Sequence, residues 1–265
     1  LCNAPWERHR YLIGVLHEEQ GRGGSQAMHE LEEGALLRIS EPRNLFALHA
    51  HASHSLLFAG GIGVTPLLAM AEQLSAQGAS FTLHYCVRSA SRLAFKDRIG
   101  LAPLASKVQV HLLDGAEEQQ LRCDDVLSAA PAGAHLYVCG PAGFMDHVYS
   151  RAKANGWDEG RLHREFFAAA PVDHAKDGAF ELQLRSGRVI TVSRDQSAAE
   201  ALNAAGVEVP LSCEQGVCGT CLTRVLEGTP DHRDMFLTEQ EHEANDCFTP
   251  CCSRAKSRRL VLDLE

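Results

Sequence analysis

No apolar run in this 265-residue sequence approaches the length of a membrane span, and no charged-then-apolar leader opens it. An excess of basic residues is also missing, because the formal net charge is −9. Nucleic-acid-binding proteins carry basic surfaces, so this charge argues against that class of partner. The sequence shows neither an internal repeat nor a low-complexity tract. These absences predict a globular, cytoplasmic protein of two or three domains that binds neither membranes nor nucleic acid.

Four of the ten cysteines carry the strongest chemical signal. Cys213, Cys218 and Cys221 lie in LSCEQGVCGTC, and Cys251 follows after 29 intervening residues. The spacing C-x4-C-x2-C with a distant fourth cysteine is typical of plant-type 2Fe–2S proteins. Zinc ligands usually come as two close pairs instead. The tight triplet can wrap one iron and reach the second, and the loop glycines let backbone N–H groups approach sulfur. The pattern predicts a metal centre that moves one electron at a time.

A second signature occupies the middle of the chain. From residue 55 to about 168, short apolar runs alternate with helical stretches, which predicts a parallel sheet covered by helices. SLLFAGGIGVTPLLAM predicts a strand, a glycine turn and a helix, and HLYVCGPAGFM predicts a second strand and helix. Two such strand ends side by side form a crevice for a dinucleotide, whose pyrophosphate meets the helix N-terminus. The residues assigned to this site are Gly60, Gly61, Gly63, Thr65, Pro66, Gly140 and Pro141.

The last part of the chain predicts a small β-grasp domain. FELQLRSGRVITVS has a hairpin pattern that turns at Ser186 and Gly187. SAAEALNAAG predicts a helix with Ser197 as its N-cap and Gly206 as its stop. The cysteine loop follows, and RLVLDL predicts a final strand. The segment 168–178 is small, polar and broken by proline and glycine, so it is interpreted as a linker.

Together these strings resemble the ferredoxin–NADP reductase superfamily. Within it the chain is most similar to the phthalate dioxygenase reductase group, which includes the vanillate O-demethylase reductases. The strings that carry the resemblance are LCN, RGGS, PRNLF, GGIGVTP, CGP, SCEQGVCGTC, DHRDM and CSRAKS. The resemblance implies a multidomain α/β and α+β fold. Its expected parts are the C-terminal half of an FMN-binding β-barrel at 1–52, an NAD(P)-binding domain at 53–168, a linker at 169–178, and a plant-type 2Fe–2S ferredoxin domain at 179–265.

The family's barrel is complete, and its Arg-x-Tyr-Ser flavin motif is expected just before Leu1. We therefore expect the intact protein to carry more N-terminal sequence, because half a barrel has open edges.

The resemblance also implies residue roles. Gly23, Gly24 and Ser25 would hold the FMN phosphate, although GRGGS alone also fits an exposed turn, and Val15 would line the isoalloxazine ring. Three further residues would serve hydride transfer: Cys139 beside the nicotinamide, Glu165 near the hydride path and Phe167 near the flavin. The string DHRD, residues 231–234, is assigned to local structure near the cysteine loop, and Cys252 to a thiol beside the ligand Cys251.

The function implied is that of a reductase component. NADH supplies two electrons and a 2Fe–2S cluster accepts one, so FMN is required as the converter between them. The implied partner is a Rieske-type aromatic oxygenase or O-demethylase. The sequence lacks the C-x-H and C-x-x-H pair of a Rieske centre, so this partner is expected on another chain. The alternatives are a stand-alone ferredoxin-like electron carrier and a redox sensor with a non-functional reductase part.

The preferred nicotinamide donor is the most open of these expectations. No carboxylate follows the second strand of the NAD(P) domain in HYCVRSASR, and Arg88, Ser89 and Arg92 could receive a 2′-phosphate. The local chemistry thus leans toward NADPH, whereas the family resemblance leans toward NADH. We predict NADH as the better donor, with NADPH usable.

Overall fold

The computed structural model describes residues 1–21, 23–39, 41–42, 44–167 and 177–265. These residues form two compact units, Leu1–Glu165 and Phe166–Glu265. The predicted linker at 169–178 lies almost wholly outside the described residues. Within the described ranges, no helix is both long enough and apolar enough to cross a membrane.

The first unit is built on a five-stranded parallel sheet. Its strands are β1 (Ser55–Gly60), β2 (Phe81–Val87), β3 (Val108–Leu112), β4 (His135–Cys139) and β5 (Leu162–Glu165). Their spatial order is β3-β2-β1-β4-β5, and every neighbouring pair is parallel. The helices are α1 (Gly24–His29), α2 (Val64–Ala76), α3 (Lys96–Ile99), α4 (Cys123–Ser128) and α5 (Ala142–Ala154). The strand order reverses between β1 and β4, which is where such sheets open a ligand crevice.

The sequences of the central strands are continuous apolar runs, because both faces of these strands are covered. Every residue of β1 and of β4 is buried. Helix α2 packs on one face through Leu67, Leu68, Ala71 and Leu74 and shares a hydrophobic core with β1 and β2. This packing fixes the position of the end of β1 relative to the start of α2. The glycine turn connects these two ends.

Residues 1–52 are expected to form the C-terminal half of a β-barrel. Their described part contains the short helix α1 and no strand. A strand must pair its backbone groups with a neighbouring strand, and none of the described strands pairs with this segment. Ordered contacts nevertheless tie the segment to the sheet. Phe46 enters the core, the His49 N–H donates to the Tyr137 hydroxyl at 2.8 Å, and Arg98 donates to the Cys2 carbonyl at 2.9 Å.

The second unit is a small mixed sheet with two short helices. Its strands are β6 (Phe180–Gln183), β7 (Val189–Val192), β8 (Thr223–Glu227), β9 (Pro230–Asp231), β10 (Cys247–Phe248), β11 (Arg254–Ala255) and β12 (Arg259–Leu262). The main sheet has the order β10-β8-β12-β6-β7, and β9 pairs separately with β11. The helices are α6 (Ala198–Ala204) and α7 (Glu239–Ala244).

The local predictions for this unit are confirmed. Strands β6 and β7 form the expected antiparallel hairpin, with Gly187 in the left-handed region at φ 85°. Ser197 caps α6, since its hydroxyl accepts the Glu200 N–H at 3.1 Å while the Glu200 carboxylate accepts the Ser197 N–H at 2.8 Å. Strand β12 closes the sheet between β6 and β8.

Candidate functional site

The four predicted cluster cysteines lie together in the second unit. The Cys218 thiol lies beside that of Cys213, and the Cys251 thiol lies beside those of Cys221 and Cys252. Two irons that each need two thiolates can be held by four cysteines gathered in this way. The spacing in the sequence predicted these four residues, and the fold brings them to one place.

The backbone of the loop is shaped to surround a sulfur-rich group. The Gln215 N–H donates to Cys213 Sγ at 3.4 Å, and the Thr220 N–H donates to Cys218 Sγ at 3.5 Å. Gly219 has a left-handed φ of 66°, and a Cβ there would lie 2.3 Å from the Phe236 ring. Only glycine fits this position without displacing the ring. The donor set and the N–H groups aimed at sulfur fit a 2Fe–2S cluster held by the four cysteines.

The neighbouring thiol of Cys252 occupies a different environment from Cys251. Its Sγ lies 3.3 Å from Thr249 Oγ1, and a Cβ added at Gly216 would lie 2.4 Å from it. Cys251 lies beside both Cys221 and Cys252. The assignment of Cys251 as the fourth ligand, which rests on the cysteine spacing, stays a prediction.

In the first unit, the two glycine turns predicted at the nucleotide site touch. Strands β1 and β4 are neighbours with Ala59 opposite Cys139. A Cβ at Gly63 would lie 2.2 Å from the Cys139 carbonyl oxygen, and one at Gly140 would lie 2.8 Å from the Gly60 Cα. Gly140 also has a φ of 154°. Both turns therefore approach each other at backbone-to-backbone distance, which requires glycine on each side.

The start of α2 completes this corner of the sheet. A 3₁₀ turn over Gly61–Gly63 leads directly into Val64 at the first position of α2, and the Thr65 hydroxyl donates to the Ile62 carbonyl at 3.0 Å. Pro66 lies in the first turn, where the missing N–H costs nothing. Gly61 has open space around it. The Val64 N–H is bonded to the Gly61 and Ile62 carbonyls. The expected contact of a pyrophosphate with this helix end stays a prediction.

Cys139 and Glu165 lie side by side on β4 and β5. The Cys139 side chain is fully buried in the core that also contains residues of α2. Burial raises the pKa of the Cys139 thiol, and the nearby Glu165 raises it further. Burial also raises the pKa of the Glu165 carboxyl. The thiol is therefore neutral at pH 7 and contributes packing beneath the turn. Its predicted role beside the nicotinamide stays a prediction, as does that of Glu165.

The predicted adenine end of the site lies at the ends of β2 and β3. Arg88 is exposed, and its carbonyl accepts the Asp114 N–H at 3.0 Å. Ser89 Oγ lies 2.8 Å from Ser91 Oγ. The pairing of β2 with β3 thus brings a carboxylate residue, Asp114, next to Arg88. Asp114 follows β3 rather than β2, so the residues after β2 alone do not indicate a carboxylate at this end of the sheet.

The residues predicted for the flavin lie on the segment before the sheet. Gly23, at φ 93°, precedes α1, and Gly24 and Ser25 form its first turn. The Ser25 hydroxyl accepts the Glu18 N–H at 3.1 Å. A Cβ at Gly14 would lie 2.8 Å from Thr65 Cγ2, so the chain leading into the half-buried Val15 packs against the start of α2. Phe167 belongs to the second unit and is 49% exposed. The roles of these residues remain predictions.

The fold and the cysteine loop define an oxidoreductase with a parallel-sheet nucleotide domain and an iron–sulfur domain. The family described as 2Fe-2S iron-sulfur cluster binding domain matches residues 182–256. The family described as dimethylamine monooxygenase subunit DmmA-like, N-terminal domain, matches residues 39–162.

Comparison with known proteins then gives the family. The vanillate O-demethylase oxidoreductase of Pseudomonas putida is 58% identical, over all of this chain and 84% of that protein. The phthalate dioxygenase reductase of Burkholderia cepacia is 39% identical, over all of this chain and 82% of that protein. The chain belongs to the family of these two reductases.

Solved structures agree with this placement. A structure of phthalate dioxygenase reductase, described as modular for electron transfer from pyridine nucleotides to [2Fe-2S], matches with a TM-score of 0.73 and 39% identity. The alignment covers all of this chain and 82% of the phthalate dioxygenase reductase chain. An intact type IV self-sufficient cytochrome P450 monooxygenase matches with a TM-score of 0.84 and 37% identity, over all of this chain and 34% of that one.

Proposed function

We propose that this protein is the reductase component of a Rieske-type aromatic oxygenase or O-demethylase system. It takes electrons from NADH and delivers them, through FMN and a 2Fe–2S cluster, to a separate oxygenase. The nicotinamide gives two electrons together, the flavin divides them, and the cluster passes them on singly. Membership in the reductase family supports this function.

The observation that carries the proposal is that one chain combines two complete pieces of machinery. The turns at Gly63 and Cys139 touch at the point where the strand order reverses, which supports a dinucleotide site there. The four cysteines gathered in the second unit support a 2Fe–2S electron acceptor. A stand-alone electron carrier has no use for the first of these.

The chain's own residues have distinct tasks in this scheme. The glycine turn after β1 lets the pyrophosphate approach the backbone at the start of α2. Cys139 and Glu165 lie side by side on β4 and β5 beneath the adjoining turn, and burial raises the pKa of both groups. The loop around the cysteines excludes bulky side chains and directs N–H groups at sulfur. We place the protein in the cytoplasm, since the cysteines outside the predicted ligand set form no disulfides, which suits a reducing compartment.

Absorption spectroscopy and turnover test the proposal together. The purified full-length protein should show flavin bands as well as cluster bands, and NADH should bleach both. It should also reduce a one-electron acceptor in the presence of NADH. A protein with cluster bands alone and no NADH oxidation would instead be the stand-alone carrier or redox sensor.

NADH is expected to be the better donor. The exposed Arg88 can tolerate the 2′-phosphate of NADPH, while Asp114 on the adjoining strand end offers a carboxylate for the 2′-hydroxyl of NADH. Steady-state kinetics with both donors should give a higher kcat/KM for NADH. A kcat/KM about tenfold higher for NADPH, a difference of about 1.4 kcal/mol, would overturn the expectation.

Delivery to the oxygenase is expected to slow as ionic strength rises. Residues 179–265 carry 14 Asp or Glu against 9 Lys or Arg, a net formal charge of −5. Glu214 is exposed within the cysteine loop itself, so the cluster lies behind an acidic surface. Attraction to a basic partner speeds encounter and is screened by salt. Stopped-flow reduction of the oxygenase at limiting partner concentration measures the effect.

A charge variant localises this effect. Glu214→Gln should reduce the salt dependence of the electron-transfer rate, whereas Glu227→Gln should leave it unchanged. Glu227 is also exposed, but it lies at the far end of β8, about 13 Å along the strand from Thr223. A rate that does not vary with salt would contradict an acidic docking surface.

A further inference from the structure

A second group of potential metal ligands lies outside the cysteine set, in the second unit. His232, Asp234 and His242 place one ligand atom each within 4.8 Å of one another. We refer to these three residues as the His–Asp–His cluster. His232 Nδ1 lies 3.8 Å from Asp234 Oδ1, and His242 Nε2 lies 3.4 Å from Asp234 Oδ2. The two imidazole rings are stacked with centroids 4.4 Å apart.

The environment of His232 is unusual for a structural histidine. Its side chain is only 7% exposed, and neither ring nitrogen meets the geometry of a hydrogen bond among the described residues, although the Asn245 side chain lies nearby. Buried polar side chains almost always have a well-formed hydrogen bond. A ligand that accepts a nitrogen lone pair would satisfy the ring.

The Asp234 carboxylate is oriented by hydrogen bonds. Its side chain is completely buried, and its Oδ2 accepts the backbone N–H groups of Phe236 at 3.2 Å and Leu237 at 2.8 Å. Bonds of this kind orient a ligating carboxylate. The Ser253 hydroxyl approaches the other oxygen, Oδ1, at 3.4 Å. The Oδ1 side, which faces His232, is therefore the less occupied one.

The spacing of the ligand atoms is compatible with a small divalent ion. Zinc bonds of about 2.0–2.1 Å in a tetrahedron place neighbouring ligand atoms about 3.4 Å apart. The two histidine nitrogens lie 3.8 and 3.4 Å from different oxygens of Asp234, and one ligand atom from each residue lies within 4.8 Å of the others. Glu241 and Asp246 add negative charge near the cluster and Lys256 adds positive charge, while Arg233 is paired with Asp177 and Asp231. The surroundings thus favour a cation.

We propose that the His–Asp–His cluster binds one Zn²⁺ ion through two imidazoles and a carboxylate, with water as the fourth ligand. The ion would join α7, which carries His242, to the loop after β9, which carries the other two ligands. That loop supports the cysteine loop, since the Met235 N–H donates to the Gly216 carbonyl at 3.0 Å. The site is thus a structural brace for the iron–sulfur domain and takes no part in carrying electrons.

The test uses the full-length protein with its iron–sulfur cluster intact. After dialysis against Zn²⁺ and then buffer, we expect elemental analysis to find one zinc per chain in addition to iron. X-ray absorption at the zinc edge should show nitrogen and oxygen neighbours only, which separates this site from zinc misplaced among the cysteines. His242→Gln should weaken zinc binding by at least about 10-fold. His232→Gln should weaken zinc binding to the same extent. Added zinc should raise the Tm of the unsubstituted protein but not the Tm of either histidine variant.

Gln240→Ala is the matched control, because Gln240 is an exposed residue of the same helix. It should bind zinc like the unsubstituted protein. An unchanged visible spectrum in every variant shows that the cysteine loop is still formed. No retained zinc, sulfur neighbours at the zinc edge, or full binding by both histidine variants would each overturn the proposal.

Discussion

Cys251→Ser is expected to remove or strongly perturb the visible absorption of the cluster and to lower NADH-driven reduction of a one-electron acceptor by at least about 100-fold. Cys251 is the predicted fourth ligand, so its loss leaves one iron with a single cysteine. Reduction of the flavin by NADH should persist in the full-length protein, because that step precedes the cluster. The two activities should therefore separate in this variant.

Two neighbouring cysteines provide the controls. Cys252→Ser and Cys247→Ser should both retain the cluster spectrum. Cys252 packs against Thr249 and the Gly216 position, and Cys247 begins the short strand β10. If Cys252→Ser lost the cluster while Cys251→Ser kept it, the assignment of the fourth ligand would be wrong.

Gly63→Ala is expected to lower kcat/KM for NADH by about 100-fold, since misplacement of reacting groups by about 1 Å has effects of that size. The added Cβ would lie 2.2 Å from the Cys139 carbonyl oxygen and 2.6 Å from the Gly140 nitrogen. Both are backbone atoms, so one of the two turns must shift. The backbone at Gly63, φ −60°, is open to any residue, and the effect is therefore steric. Overpacking of this kind usually costs about 1–3 kcal/mol of stability.

Gly143→Ala is the matched control for that variant. Gly143 lies in the first turn of α5, directly after the second glycine turn, and a Cβ there meets nothing within 4 Å. Its kinetics with NADH should be unchanged. Unaltered NADH kinetics in Gly63→Ala would show that close contact between the turns is not needed for binding or hydride transfer.

Much of the site could be predicted from local sequence, because local chemistry determines it. The cysteine spacing identified the ligands, and the strand–glycine–helix pattern located the start of α2 near Thr65. Contacts between distant segments could not be obtained in this way. The contact of Gly63 with Cys139 depends on β4 being the neighbour of β1, and the proximity of Asp114 to Arg88 depends on the pairing of β3 with β2.

The same limit explains two other differences. The strands expected in residues 1–52 require partner strands, which a local pattern does not reveal. The His–Asp–His cluster joins a loop to a helix ten residues away, and DHRD read alone indicated only local structure. Buried, unpartnered nitrogens are a feature of packing, and they become visible only when the chain is folded.

The central claim is that electrons travel from NADH to the cluster within this protein. An anaerobic NADH titration of the full-length protein, followed by electron paramagnetic resonance, tests it most directly. We predict that NADH alone produces the signal of the reduced 2Fe–2S cluster in most molecules, and that Cys251→Ser oxidises NADH without producing it. A cluster that stays oxidised with excess NADH but is reduced by dithionite would contradict the account.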